Sequence, residues 1–211
     1  MSATFGGREV DALQELASIG CGHALTALGK LTGRRLDMDV PEVWVGAETG
    51  AIASFLGALG QDLVAVGVKL EGRLTGDLLL ALPEQDAGAL AAALGFPVDG
   101  PGEGADRAHA VVMAESALLE SGNIVGSAFV SAVAVLVREK LLLSVPTLVR
   151  GSGKACVELL VAHAGSVALA TRFSCSGADG PHLEGLILVM PEPDGIAALL
   201  GHLLEEQEEW G

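Results

Sequence analysis

Two long stretches of the chain place apolar residues every three to four positions, a spacing that predicts helices with one buried face. The first runs from about Arg8 to Leu31 and the second from Ala108 to Val137. The apolar stripe of the second consists of Leu118, Val125, Phe129, Ala132 and Leu136. Because glycine otherwise weakens a helix, the glycines of the first helix predict close approach to a neighbouring element. They are Gly20, Gly22 and Gly29.

Shorter apolar runs between and after these helices predict strands. The predicted strands are Arg35–Val40, Ala51–Phe55, Asp62–Leu70 and Gly72–Leu82 in the first half, and Leu141–Val145, Ala155–His163, Ser166–Phe173 and Glu184–Val189 in the second. Helices at Glu84–Leu94 and Asp194–Glu206 are predicted to close the two halves. Residues 98–107 are polar and rich in glycine and proline, which predicts a linker between the halves.

The polar edges of the two long helices repeat at a fixed distance in the sequence. The first set is Asp11, Glu15, Ser18 and Pro41, and the second is Ser116, Glu120, Asn123 and Pro146, each 105 residues later. Residues 78–84 also match residues 186–192, at an offset of 108, so one loop must differ by three residues. These matches predict an internal duplication, with repeats at about 8–97 and 108–206.

The duplication and the order of elements predict an α+β fold with α/β-type packing, in a single domain over residues 1–211. Neither half can easily cover both faces of its own sheet. We therefore expect the halves to pair about a pseudo-twofold axis and to share one mixed or antiparallel sheet, with the long helices packed on it.

The net charge of the chain limits the classes of partner that are expected. The formal net charge is -15, and no cluster of Lys and Arg is present, so neither nucleic acid nor an anionic membrane surface is an expected partner. The charge favours a partner with a basic face, or serves only solubility or adaptation to salt. The most apolar stretch, Ala128–Val137, is short and ends at charged residues, which predicts a buried helix and not a membrane span.

Cysteine usage and the N-terminal residues predict a cytoplasmic location. The three cysteines, Cys21, Cys156 and Cys175, are widely spaced and form no C-x-x-C motif. A disulfide framework is therefore not expected, which fits a reducing compartment. The N-terminal residues lack the basic start and apolar run of a signal peptide.

Candidate chemistry is concentrated on the second polar edge. No Ser-His or Cys-His arrangement and no zinc-ligand spacing occurs, and the fragment from Gly151 to Lys154 is only part of a phosphate loop. Glu120 and Asn123, three residues apart, project from one helical face. A carboxylate can pair with a partner's Lys or Arg, and a carboxamide can hold a water molecule at a fixed angle. The alternative is that both are solvated helix residues.

The full pattern, D/S-x3-E-x2-N-x22-P found twice, resembles the CheC family of chemotaxis phosphatases, to which CheX and FliY are related. The resemblance implies dephosphorylation of a phosphorylated CheY-type response regulator. Glu120 would form a salt bridge to the regulator's Lys, and Asn123 would orient the water that attacks the aspartyl phosphate. It also implies that Mg²⁺ is bound by the regulator and that this chain binds no cofactor. The resemblance further implies a monomer, since family members with two motif copies are monomeric.

The first copy departs from the family pattern. Glu15 keeps the docking position, but Ser18 stands where the pattern has Asn, and a hydroxyl is shorter than a carboxamide. We expect the first site to be weak or silent, with Asp11, Ser116, Pro41 and Pro146 supporting the motif. CheC proteins also bind CheD, a receptor-modifying deamidase, so CheD is a second candidate partner. The rival hypothesis is a non-catalytic binding protein for a response regulator or CheD.

Overall fold

In the computed structural model, helices cover both faces of one antiparallel sheet. The structure describes residues 5–46, 48–98, 104–161, 167–175, 182–197 and 200. The elements of the first half are α1 (Gly7–Thr32), β1 (Asp37–Met38), β2 (Glu42–Val45), α2 (Thr49–Gly57), β3 (Leu63–Gly72), β4 (Gly76–Pro83) and α3 (Glu84–Ala93). Those of the second are α4 (Ala105–Val137), β5 (Leu141–Leu143), β6 (Thr147–Gly151), α5 (Gly153–Leu160), β7 (Val167–Cys175) and β8 (Leu183–Pro191).

Among the described residues, the sheet has eight strands in the order β1-β7-β8-β4-β3-β5, with β2 also beside β7 and β6 also beside β3. Every strand pair in the described part of the chain is antiparallel. The α+β class and the shared sheet are therefore confirmed, in the antiparallel form. The centre is the ladder between β4 and β8, where Leu79 pairs with Leu188 and Leu80 with Ile187.

Alternate residues of the central strands enter two separate cores, as the period of two in a strand requires. Val64, Val66 and Val68 of β3 pack in the core under α1, α3 and α4. Leu63 and Ala65 of the same strand pack in the core under α2 and α5. Because both faces are covered, the central strands carry continuous apolar runs, such as residues 78–82 of β4 and 186–190 of β8, instead of alternating with polar residues.

The sequence prediction was wrong for two of the strands. Ala51–Phe55 lies inside helix α2, and most of Ala155–His163 is helix α5, with residues 162–163 outside the described part. Short apolar runs do not distinguish a strand from a buried helix by periodicity. In α5 the buried positions are 153, 156, 157 and 160, which is helical spacing. Strands β2 and β6 were missed.

The long helices were predicted correctly, and so was a close approach at two of the three glycines of α1. A Cβ built on Gly20 would lie 2.6 Å from Cδ2 of Phe129 on α4, and one on Gly29 would lie 2.7 Å from the carbonyl oxygen of Arg34. The prediction of close approach was wrong for Gly22, because nothing lies within 4 Å of a Cβ there. On α4 the tightest approach is at Gly122, where a Cβ would lie 2.8 Å from Cβ of Val66.

The two halves present the same order of elements: a long helix, two short strands, a short helix and two long strands. The short strands are exchanged, since β1 and β2 pair with β7 of the second half and β5 and β6 pair with β3 of the first. This reciprocal pairing is what a twofold axis requires. The duplication, the repeat bounds and the linker at 98–107 stay predictions, and residues 99–103 lie outside the described part.

Two further predicted helices agree with the structure over the residues that it describes. Helix α3 matches the predicted Glu84–Leu94 within one residue. Residues 193–197 and 200 are helical, in agreement with the predicted last helix, whose further residues lie outside the described part. Helix α4 is the one described helix long and apolar enough to cross a membrane by length and composition. One of its faces is packed on α1 and β3, as in the core helix of a globular protein.

Candidate functional site

The polar edge of α4 presents side chains that are not engaged inside the protein. Glu120 is exposed and Asn123 is half-buried. Within the part of the chain that the structure describes, no hydrogen bond or ion pair is formed by either side chain. Their neighbour on the edge, Ser116, is exposed and its hydroxyl donates to the carbonyl oxygen of Val112, 2.9 Å away. The edge therefore offers a free carboxylate and a free carboxamide one helical turn apart.

Packing of α4 determines where Asn123 points. Gly122 faces Val66 of β3, and a Cβ on Gly126 would lie 3.1 Å from Cδ1 of Leu143 on β5. Successive residues turn by about 100° around a helix, so Asn123 projects to the side of α4 on which β5 and β6 lie. Ser121 projects to the opposite side and is buried. Helix α1 lies on that opposite side, over β7. Asn123 therefore faces the sheet edge formed by β5 and β6.

The equivalent edge of α1 is tied to its own loop by hydrogen bonds. Nε2 of Gln14 donates to the carbonyl oxygen of Pro41 at 3.0 Å. The hydroxyl of Ser18 donates to the carbonyl oxygen of Gln14 at 2.8 Å, so it is turned back along the helix. Asp11 and Glu15 are exposed, and Pro41 is buried. The structure thus places Asp11, Glu15 and Ser18 on a helix that is bonded to the loop of Pro41, with the Ser18 hydroxyl engaged by the backbone of its own helix.

The loop that carries Pro146 is fixed to the sheet edge. The backbone N–H of Ser144 donates to the carbonyl oxygen of Lys69 at 3.0 Å, and the hydroxyl of Ser144 accepts from the N–H of Lys69 at 2.9 Å. Pro146 itself is half-buried. In the same half, Nε of Arg150 on β6 lies 3.3 Å from Oε1 of Glu115 on α4. The loop and the helix edge are therefore held together as one surface.

The thiols of the core are not nucleophiles of this site. Burial raises the pKa of Cys21 to about 11. Burial also raises the pKa of Cys156. A thiol that stays protonated is a poor nucleophile. Both side chains lie inside the cores.

The described residues beside the edge include neither a metal cluster nor a complete phosphate loop. Among the described residues, no group of three or more His, Cys, Asp and Glu side chains is placed to hold a metal ion. The fragment from Gly151 to Lys154 joins β6 to α5, not two strands as predicted, and Ser152 caps α5 by accepting from the N–H of Ala155 at 3.3 Å. A Cβ on Gly153 would lie 2.7 Å from the backbone nitrogen of Gly57. This glycine therefore serves the packing of α5 on α2.

Sequence reasoning missed two residues that support the site. Gly122 permits the close approach of α4 to β3, and Gln14 links α1 to the loop of Pro41. Gly122 sits between Glu120 and Asn123, and its lack of a side chain inside a long helix was the signal for it. No signal in the sequence identifies the partner of Gln14, because the bond depends on how the loop folds back.

Comparison with known proteins finds similarity both in sequence and in fold. Residues 9–45, which contain the first motif copy, match the sequence model of the CheC-like family. The chain is 31% identical over 142 residues to the CheY-P phosphatase CheC of Bacillus subtilis, a match that covers 65% of this chain and 64% of the relative. Its fold is similar to that of Thermotoga maritima FliY, with a TM-score of 0.67 and 15% identity over 96% of this chain and 99% of that one. The chain is therefore similar to CheC proteins in sequence and to FliY in fold.

A second solved structure of similar fold contains a partner protein. The CheX in the CheX–CheY–BeF3–Mg²⁺ complex of Borrelia burgdorferi is similar in fold, with a TM-score of 0.54 and 20% identity, covering 86% of this chain and 99% of that one. The chain spans less than two thirds of the length of the Bacillus subtilis CheC that it matches. These structural likenesses establish the fold.

Proposed function

We propose that this chain hydrolyses the aspartyl phosphate of a CheY-type response regulator, with Glu120 and Asn123 as the working pair. The observation that carries the proposal is the free, adjacent carboxylate and carboxamide on the α4 edge. Support comes from the relative named CheY-P phosphatase and from the family structure in which CheX is bound to CheY.

The chemistry needs positioning more than it needs covalent help. Water attacks the phosphorus in line, the bond between phosphorus and the aspartyl oxygen breaks, and the products are inorganic phosphate and the free aspartate. Asn123 would accept from and donate to this water, since its carboxamide has both kinds of group. The Mg²⁺ that offsets the phosphate charge belongs to the receiver in this proposal, and this chain supplies no metal.

Glu120 would anchor the receiver by pairing with a lysine of the receiver's site. Its carboxylate is exposed and has no partner among the described residues, so docking breaks no existing ion pair. A charge-assisted hydrogen bond of this kind fixes orientation as well as adding affinity. Asn123, one turn further along the same edge, is then carried into the receiver's site.

The test is the decay of a phosphorylated CheY-type receiver from the host, measured with parent, Asn123→Ala, Glu120→Ala and Ser131→Ala. Asn123→Ala should lower kcat by about 100-fold, the scale expected when a reacting group loses its positioning. Glu120→Ala should raise KM, because docking is lost. Ser131→Ala, an exposed residue of the same helix, should behave as the parent. Full kcat in Asn123→Ala would refute the assignment.

A non-catalytic binding protein is the second candidate, and Ser18 is the observation that favours it. The first copy keeps Glu15 exposed while its Ser18 hydroxyl is engaged by its own helix. A protein that only sequestered a regulator or CheD would bind the receiver and leave its rate of dephosphorylation unchanged. Binding of the receiver without any acceleration by the parent protein would select this candidate over the phosphatase.

A further inference from the structure

Two exposed valines occupy the same place in the two halves. Val40 immediately precedes Pro41 and Val145 immediately precedes Pro146, so they are separated by the motif's own offset of 105 residues. Their exposed fractions are 74% and 85%, and Val145 is the most exposed large apolar side chain of the described residues. Single exposed valines need no explanation. Two exposed valines at matched positions beside matched polar edges do need an explanation.

Each valine lies beside the edge of its own half. In the second half, Leu143 packs at Gly126 on one side of the turn, and Leu148, across from Val66, lies near Gly122 on the other. The turn from 144 to 146 is therefore next to the part of α4 that carries Asn123. In the first half, the bond from Gln14 to the Pro41 carbonyl places the turn of Val40 beside Ser18 in the same way.

The turn of Val145 is held in place before any partner arrives. Two hydrogen bonds join Ser144 to Lys69, and Pro146 restricts the backbone that follows Val145. A contact that is already ordered loses little conformational entropy on binding.

We propose that Val145 is an apolar docking contact for the receiver domain, and that Val40 is the same contact in the first half. The proposal rests on the proposed function. Specific interfaces bury about 800 Å² on each partner, more than Glu120 and Asn123 supply, so a receiver seated on Asn123 must cover the residues that flank it. On the side of β5 and β6, the residues that flank Asn123 belong to the turn that carries Val145. The first half thereby keeps an apolar contact and a docking carboxylate, so it binds a receiver that it does not hydrolyse.

The experiment compares Val145→Asp, Val40→Asp, Val145→Ile and Val135→Asp. Val135 is the matched control, because it is 77% exposed and lies on α4 three turns beyond Asn123. Turnover of the phosphorylated receiver is measured, together with calorimetric binding of the host's CheY-type receiver held active with beryllium fluoride. These two readouts separate docking from chemistry.

Val145→Asp should raise KM about tenfold or more while kcat stays within about twofold, because burying a valine contributes binding that substrate and transition state share. Val145→Ile and Val135→Asp should match the parent. Parent protein should bind two receivers per chain. Val145→Asp and Val40→Asp should each weaken one of the two sites by about tenfold.

If Val145→Asp has the KM and affinity of the parent, Val145 is not a docking contact. The phosphatase assignment is tested separately, by the kcat of Asn123→Ala. If the parent accelerates no receiver, the calorimetric measurement still decides. Weaker receiver binding in Val145→Asp than in Val135→Asp supports the docking role, and equal binding or none overturns it. Weakened binding of CheD with receiver binding intact also overturns it.

Discussion

Replacement of Gly122 by Ala tests whether the close approach of α4 to β3 positions Asn123. A Cβ at this position would lie 2.8 Å from Cβ of Val66, whereas carbon atoms prefer separations of about 3.5–4.0 Å. Val66 is buried on a central strand and cannot move aside. The helix must therefore retreat by about 1 Å, and it carries Asn123, the next residue, with it.

The magnitude follows from two opposing effects on stability. Overpacking a core costs about 1–3 kcal/mol. Replacing a helical glycine by alanine gains about 1 kcal/mol. The net destabilisation of Gly122→Ala should be about 0–2 kcal/mol, whereas Gly88→Ala should stabilise by about 1 kcal/mol. Gly88 is the matched control, because it is an exposed residue of α3 with nothing within 4 Å of a built Cβ.

The assay combines denaturant unfolding with turnover of the phosphorylated receiver. A displacement of about 1 Å at a positioning group can cost about 100-fold in rate, so Gly122→Ala should lose far more kcat than stability. The stability measurement stands whether or not a receiver is hydrolysed. The reasoning is wrong if Gly122→Ala is as stabilising as Gly88→Ala, or if it keeps full kcat while its fold is intact.

Two further changes test the first copy and a buried carboxylate. Ser18→Asn in the Asn123→Ala background should restore turnover at least tenfold if the missing carboxamide is what silences the first site, whereas Ser131→Asn in that background should restore none. Asp86 is nearly buried, and desolvation raises its pKa above the usual value although its Oδ1 accepts from the N–H of Glu184 at 3.1 Å. An acid whose folded-state pKa is raised loses stability as pH rises from its unfolded pKa through its folded one. Asp86→Asn should therefore be more favourable, relative to the parent, at pH 7 than at pH 3 in urea unfolding, and an equal difference at both pH values would contradict this.

The sequence predicted the long helices and the central strands because their patterns are long enough to be unambiguous. Helix α4 shows its stripe over many turns, and β4 and β8 carry uninterrupted apolar runs that a sheet covered on both faces requires. Helices α2 and α5 failed because each has only two turns or so, and tertiary packing decides the conformation of such short segments. In α5, Ser152 as an N-cap was the available sign of a helix.

For the candidate site, the sequence could place the residues on one edge but could not say what surrounds them. The spacing of Glu120 and Asn123 is a local property of a helix and is independent of the rest of the fold. The turn of Val145 is brought to Asn123 by pairing of β5 and β6 with a strand about 75 residues away in the chain. Contacts between such distant segments are set by the sheet register, which no short motif contains.

The strand order of the sheet determines how far apart the two polar edges lie. The loops of the two copies belong to β1–β2 and β5–β6, which lie at opposite ends of the path β1-β7-β8-β4-β3-β5. Five strand spacings of about 4.8 Å separate those ends by roughly 24 Å, so one receiver cannot be held by both turns in the same way. Two receivers bound at such a distance share no contact residues, and their binding energies should add. The Ser18 copy then neither helps nor obstructs hydrolysis at Asn123, and the chain should bind two receivers while its rate per chain is that of one site.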